Sequence, residues 1–178
     1  AEPIACPVCG PKVTLCASDG TTTDADDPIA AAAERIQAGR IVAVKGLGGF
    51  HLAVDATNET AVARLRQRKI REEKPLALMC ADMQRVGAIA HVTEAEAALL
   101  VSIQRPIVLL TQKASTPIAE AVSPRNRYFG VMLPYTPMHH LLLDAGFEAL
   151  VMTSANLSEE PIAIDNEEAF ARLAARAP

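Results

Sequence analysis

The stretch "IVAVKGLGGFHLAVDATNETAVARLRQRK" (residues 41–69) decides the fold class. Two apolar runs in it, "IVAV" (41–44) and "FHLAVDA" (50–56), predict buried strands. The connection between these runs is too short for a helical crossover, so the two strands should pair antiparallel. Thr57 or Asn58 then caps a helix over residues 59–69. The stretch therefore predicts strand, turn, strand and helix, with at least one antiparallel pair in a mixed sheet.

The same alternation continues on both sides of this stretch. Upstream, Asp27 and Pro28 begin a helix that Gly39 ends. Downstream, the pattern predicts strands at 75–80, 105–111, 129–133 and 149–155, helices beginning at Asp82, Thr93 and Pro137, and a last helix over 166–177. Six or seven strands alternating with about six helices indicate an α/β domain, with a mixed, twisted sheet flanked by helices. We place this domain at residues 27–178, after a polar linker (17–26) and an appendage (1–16).

Composition narrows the function classes. The chain has 178 residues, enough for one domain with its own core, and half of them are apolar. Its net charge of −4 disfavours a general nucleic-acid binder. No apolar run is long enough for a membrane span, and the first residues lack a signal-peptide pattern, which favours a cytoplasmic protein. The four cysteines do not indicate a disulfide framework, because a chain of this size needs none and three of them cluster near residue 10.

A local group of basic side chains stands out against this acidic background. Its members lie between residues 64 and 74 and are Arg64, Arg66, Arg68, Lys69, Arg71 and Lys74. In an extended segment Lys69 and Arg71 would point to the same side, where they could hold a polyphosphate or a carboxylate. Two or three of the cations could instead complement a helix C-terminus, or the group could form a solvated face.

Three further motifs can be read in two ways. The glycines of "KGLGG" (45–49) could let backbone N–H groups approach a phosphate, or simply form a hairpin turn. The polar residues of "MTSAN" (152–156) follow a buried strand, where they could contact a ligand or cap a helix. In "LPYTPMHH" (133–140), adjacent histidines diverge by about 100° on a helix. We therefore expect one to be in the core or capping and the other to face a groove, without a shared metal.

The N-terminal "CPVCGP" (6–11) has the spacing of a zinc knuckle. Cys6 and Cys9 would supply half of a tetrahedral Zn²⁺ site, with its other half outside this chain. Cys16 is a possible third ligand at irregular spacing. A redox pair is the alternative, but no helix follows it to lower a thiol pKa.

Together, "CPVCGP", "KGLGGFHLAVDATNETAVARLRQRK", "KPLALM", "RPIVLL", "GVMLPYTPMHHLLL" and "LVMTSANLSEEPI" resemble the YrdC-like domain of the HypF family of hydrogenase-maturation carbamoyltransferases. The resemblance runs from Cys6 to about Leu173. It implies a YrdC-like fold with a concave basic groove that binds ATP with Mg²⁺ and carbamate derived from carbamoyl phosphate. The implied product is carbamoyl-adenylate, formed with release of pyrophosphate. It also implies neighbouring domains, zinc fingers of which "CPVCGP" is the last half, and transfer of the carbamoyl group to HypE for [NiFe]-hydrogenase.

The resemblance also assigns roles to particular residues. The family's KxR and SxN signature falls on Lys69 and Arg71, then on Ser154 and Asn156. Lys69 and Arg71 are the expected catalytic pair, and all four are expected to bind nucleotide or carbamate. The resemblance further places in the groove Lys45, His51, Thr136, His139 and His140. A threonylcarbamoyl-adenylate synthase-like activity and a nucleic-acid-binding role remain as alternatives.

Overall fold

A computed structural model describes residues 9–70, 73–156 and 161–173 of the chain. Within these ranges the elements are α1 (Pro28–Gln37), β1 (Val42–Lys45), β2 (Phe50–Asp55), α2 (Glu59–Lys69), β3 (Ala77–Met79), α3 (Met83–Ile89), β4 (Ala90–His91), α4 (Glu94–Val101), β5 (Val108–Gln112), β6 (Tyr128–Met132), α5 (Pro137–Leu143), β7 (Leu150–Ser154) and α6 (Asn166–Leu173). A short 3-10 turn, Glu120–Val122, precedes β6. The predicted α/β class is confirmed.

The seven strands of the described residues form one mixed sheet in the order β1-β2-β7-β3-β6-β5-β4. The strands β3 and β6 pair in parallel, whereas the other neighbours in the described sheet are antiparallel. As the short connection predicted, β1 and β2 form a hairpin in which Val42 lies opposite Ala53. The two-residue β4 was not predicted. It is a strand only because Ala90 and His91 pair with the end of β5.

Helices cover the sheet on both faces and create two apolar layers. On one face α2, α3 and α4 pack on the sheet, with Leu65 and Leu78 fully buried in the layer. On the other face α1 and α5 do the same, with Ile36 and Met79 fully buried. In the part of the chain that the structure describes, no helix is long and apolar enough to cross a membrane.

The predicted helix starts are confirmed by their caps. The Asp27 carboxylate accepts hydrogen bonds from the backbone at the start of α1. The Asn58 side chain caps α2, so Asn58, and not Thr57, begins that helix. Asp82 caps α3, and Thr93 forms a capping box at α4. These contacts satisfy N–H groups that have no partner inside the helix.

The segment before α1 packs partly on the domain. Leu15 is buried in the α1/α5 layer. Cys16 and Thr22 form an isolated bridge, and the Thr23 N–H donates to the Leu15 carbonyl at 2.7 Å. The stretch predicted as a linker (17–26) therefore begins with a closed turn. Residues 1–8 of the predicted appendage, and residues 174–177 of the predicted last helix, lie outside the described residues.

Candidate functional site

The Lys69 side chain joins the end of α2 to the end of β7. It is buried, and its Nζ donates to the Ser154 carbonyl at 2.6 Å and to the Asn156 carbonyl at 2.9 Å. A third contact, at 3.1 Å, goes to Asn156 Oδ1. All three acceptors are oxygens, as suits an ammonium, which can only donate. We refer to Lys69, Ser154 and Asn156 as the β7-end cluster.

The helix predicted over residues 59–69 is confirmed, whereas the extended segment that would point Lys69 and Arg71 to the same side is not found at Lys69. Helix α2 continues through Lys69, and Ile70 ends it in the left-handed conformation with φ 51°. Lys69 therefore projects from the last turn of a helix and not from an extended segment. The fourth residue of the predicted signature, Arg71, lies outside the described residues.

The β7-end cluster fixes the orientation of the Asn156 amide. Its Oδ1 accepts from Lys69 Nζ and, at 2.7 Å, from Ser154 Oγ. Because an ammonium can only donate, the amide atom that faces it is the oxygen, and Nδ2 lies on the other side of the amide. The cluster thus holds one buried positive charge and orients a hydroxyl and an amide at a strand end.

Other members of the basic group have structural roles. The Arg64 guanidinium donates to the Gly39 carbonyl at 3.1 Å. Arg66 is buried and donates to the carbonyls of Val122 at 3.0 Å and Lys74 at 3.2 Å. These side chains connect α2 to neighbouring loops by satisfying backbone acceptors. For Arg64 and Arg66 the structure favours a structural role over ligand binding.

A separate cavity of about 480 Å³ lies between the end of β5 and the loop that precedes β6. It is lined by Gln112, Thr116, Ile118, Ala119, Glu120, Ser123, Arg125, Asn126, Arg127 and Phe129. On the surface beside it, Arg125 pairs with Glu73. The lining includes no member of the β7-end cluster.

Two histidines approach each other beside the β7-end cluster. His51 lies opposite Ser154 in the β2–β7 pairing, so the two side chains share one face of the sheet. On α5, His139 is 1% exposed, and its ring centroid lies 6.5 Å from that of His51. The Tyr135 ring packs edge-on against His139 at 4.6 Å. We refer to His51 and His139 as the histidine pair.

Burial keeps the histidine pair neutral near pH 7. It lowers the pKa of His139 to about 4, with smaller contributions from the fields of His51 and His140. Burial also lowers the pKa of His51. A neutral imidazole offers one donor and one acceptor, whereas an imidazolium offers only donors.

Of the remaining predicted site residues, only Thr136 hydrogen-bonds to the histidine pair in the described structure. The buried Thr136 caps α5, and its hydroxyl accepts from the His139 N–H at 3.2 Å. His140 is exposed, as the predicted divergence of adjacent histidines required. Lys45 is also exposed and donates to Asn166 Oδ1 at 2.6 Å. Strand alternation places Lys45 on the face opposite to His51, so the structure does not bring these two residues together.

The glycine-rich stretch is a hairpin turn that also shapes the site. The Gly46 N–H donates to the Gly49 carbonyl at 2.8 Å. Gly49 has φ +136°, and a Cβ there would lie 2.7 Å from the Ala163 carbonyl oxygen. A Cβ at Gly46 would lie 3.0 Å from His51 Nδ1. Sequence reasoning did not connect Gly46 or Tyr135 to the histidines, since no spacing rule links them.

The described residues do not complete a metal site. They contain no group of three His, Cys, Asp or Glu side chains placed to hold a metal ion. Cys9 is exposed, Cys16 belongs to the bridge with Thr22, and Cys6 lies outside the described residues. The half zinc site at Cys6 and Cys9 therefore stays a prediction, and we derive no step through zinc.

Comparisons with known proteins agree with this architecture. The chain is 51% identical over 175 residues to carbamoyltransferase HypF of Rhodobacter capsulatus, covering 98% of this chain and 23% of that protein. It is 44% identical over 150 residues to HypF of Synechocystis sp., covering 84% of this chain and 20% of that protein. The chain thus spans only about a quarter of the length of these curated relatives.

Solved structures show the same fold. A crystal structure of HypF from T. kodakarensis superposes with a TM-score of 0.92 at 45% identity, covering 98% of this chain and 23% of that one. Full-length HypF in a phosphate- and nucleotide-bound form gives a TM-score of 0.88 at 44% identity, with the same coverage. P. abyssi Sua5 bound to L-threonine gives 0.74 at 21% identity over 85% of this chain and 45% of that one, a likeness in fold alone.

A family model supplies the assignment. The Sua5/YciO/YrdC model, described as telomere recombination, matches residues 34–178. That range begins within α1 and includes every strand of the sheet. The chain belongs to the Sua5/YciO/YrdC family.

Proposed function

We propose that this chain forms carbamoyl-adenylate from ATP and carbamate, as one step of a carbamoyl transfer. The observation that carries the proposal is the β7-end cluster, in which the buried Lys69 ammonium holds Ser154 and Asn156 at the end of a central strand. The carbamoyltransferase name of its relatives and the phosphate- and nucleotide-bound form of full-length HypF support this choice of substrates.

The reaction needs little covalent chemistry from the protein. A carboxylate oxygen of carbamate attacks the α-phosphorus of ATP, and a new O–P bond forms. The bond from the α-phosphorus to the bridging oxygen breaks, and pyrophosphate leaves with that electron pair. Because negative charge spreads over phosphoryl oxygens, positioning and fixed positive charge carry the catalysis.

The β7-end cluster suits this task. Lys69 contributes its charge from a buried position, where charges interact more strongly than in bulk water. Its contacts orient Ser154 and Asn156, which we assign to the substrate oxygens. We assign Arg71, two residues beyond Lys69, to the phosphates, and Mg²⁺ to the complex in which ATP arrives.

The remaining steps belong to a longer protein in this proposal. A neighbouring domain would release carbamate from carbamoyl phosphate, and another would pass the carbamoyl group to HypE. This chain alone should therefore turn over carbamate but not carbamoyl phosphate. Turnover of carbamoyl phosphate by the purified chain would contradict this division of labour.

Calorimetric titration with ATP·Mg²⁺ tests the nucleotide site. Wild type should bind, and Arg71→Ala should weaken binding at least about tenfold, because a charge-assisted phosphate contact is lost. Lys12→Ala, which changes an exposed lysine outside the cluster, is the control for net charge. Equal affinity for ATP·Mg²⁺ in all three proteins would contradict the assignment of Arg71 to the phosphates. Adenylation that requires L-threonine and bicarbonate would favour the threonylcarbamoyl-adenylate alternative.

A further inference from the structure

The histidine pair contains buried polar atoms that the described part of the protein leaves unsatisfied. Both ring nitrogens of His139 and the Nδ1 of His51 have no hydrogen-bond partner there. Each such atom destabilises the fold, because it has lost its contact with water without a replacement. Three of them meet in two rings whose centroids are 6.5 Å apart. A protein selected for stability alone would place an apolar side chain at His139.

The position of the histidine pair suggests what it serves. His51 lies across from Ser154 on the same face of the sheet, beside the β7-end cluster. It is half-buried, whereas His139 lies behind it and is closed off by Tyr135. Gly46 lies against the Nδ1 side of His51, where an added Cβ would make a tight contact of 3.0 Å with Nδ1. Because Nδ1 of His51 is buried, we take Nε2 as the nitrogen that a ligand can reach.

We propose that the histidine pair recognises the amino end of carbamate, with His51 Nε2 accepting a hydrogen bond from the carbamate N–H. This assignment rests on the proposed function and names a residue for substrate selection within it. His51 touches the substrate, and His139 is a positioning residue. The β7-end cluster binds the carboxylate end, so the two groups read opposite ends of one small molecule.

The tautomer of His51 follows from this arrangement. If Nε2 accepts, the proton is on Nδ1, which is one of the three unpartnered atoms. Two imidazoles that share an N–H···N bond have centroids roughly 5 Å apart, closer than the observed 6.5 Å. A small approach of the two rings on substrate binding would satisfy two of the three unpartnered atoms. Neutrality is essential, since a protonated His51 would have no acceptor, and burial favours it by lowering the pKa of both histidines.

Nuclear magnetic resonance of the chain with ¹⁵N-labelled histidine tests the contact directly. The chain is saturated with α,β-methylene-ATP·Mg²⁺, whose α–β bond cannot be cleaved, and titrated with ammonium carbamate. The ring resonances of His51 and His139 should shift, while those of His91, on the edge strand β4, should not. Ammonium acetate, which has a methyl group in place of the amino group, should leave the pair unchanged. Equal shifts with acetate, or no shift of His51, would overturn the proposal.

Variants separate recognition from structure. His51→Leu should weaken carbamate binding about tenfold or more and leave the affinity for the ATP analogue within about twofold. His139→Leu should also weaken carbamate binding, yet raise the Tm by about 2–4 °C, because it removes two unsatisfied buried atoms. A merely structural His139 would instead lower the Tm when replaced. His91→Leu, at an exposed site, is the matched control. Unchanged carbamate affinity in His51→Leu would overturn the proposal.

The two proposals can fail separately. If the wild-type chain does not bind nucleotide, adenylate formation is contradicted. The same titration without nucleotide still reports whether the histidines bind carbamate rather than acetate. If carbamate shifts the histidine resonances but the chain has no affinity for nucleotide, the carbamate site is supported and the adenylation reaction is contradicted.

Discussion

Replacing Lys69 by methionine should destabilise the fold, beyond any effect on catalysis. The ammonium donates to the Ser154 carbonyl at 2.6 Å, to the Asn156 carbonyl at 2.9 Å and to Asn156 Oδ1 at 3.1 Å. A hydrogen bond to a charged group contributes about 1.5–3 kcal/mol. These contributions are not additive, and removing the buried charge recovers its desolvation penalty. We therefore expect a net loss of about 2–4 kcal/mol.

Urea unfolding followed by circular dichroism measures this loss. In thermal unfolding, the same loss should lower the Tm by about 5–15 °C, as expected for a domain of this size. The control is Lys12→Met, which removes an exposed lysine and should change the free energy of unfolding by less than about 0.5 kcal/mol. If Lys69→Met is as stable as Lys12→Met, the ammonium does not hold the strand end, and the reasoning is wrong. Loss of activity in Lys69 variants must then be interpreted as loss of ligand contact alone.

Three other predictions follow from single positions. Gly49→Ala should lower the free energy of unfolding by about 2–4 kcal/mol, because φ is +136° and the new Cβ would meet the Ala163 carbonyl. Gly48→Ala, with open space around the new Cβ, should leave that free energy nearly unchanged in the same urea titration. As pH falls from 7.5 to 4.5, the unfolded state protonates His139 before the folded state does, since the folded pKa is about 4. The free energy of unfolding of the wild type should thus fall by about 2–3 kcal/mol more than that of His139→Leu over this pH range. Parallel plots of this free energy against pH for the two proteins would contradict the low pKa of His139. Burial raises the pKa of Cys80 to about 12, so a thiol reagent at pH 8 should modify it only on unfolding; fast labelling of the folded chain at Cys80 would show that it is accessible.

Much of the fold could be predicted from local patterns. Apolar runs locate six of the seven strands, and capping residues such as Asp27 and Thr93 locate helix starts. The missing strand β4 has two residues, and only its pairing with β5 makes it a strand. Tertiary contacts of this kind leave no periodic signal in a sequence.

The candidate site also has features that the sequence could predict and features that it could not. The presence of Lys69, Ser154 and Asn156 in one cluster was predictable only through the family resemblance, and the structure confirms that they meet. The helix end at Lys69 was predicted, but the left-handed conformation of Ile70 that ends the helix was not, because it is unusual for a branched residue. The histidine pair depends on the packing of α5 on the sheet, which sequence spacing does not reveal.

Carbamate-dependent exchange of labelled pyrophosphate into ATP tests the central claim most directly. The chain is incubated with ATP·Mg²⁺ and labelled pyrophosphate, with ammonium carbamate or with ammonium acetate. We expect label to enter ATP only with carbamate, and Arg71→Ala to abolish the exchange. Exchange that proceeds equally with acetate, or none with carbamate in a chain that binds ATP, would contradict carbamoyl-adenylate formation.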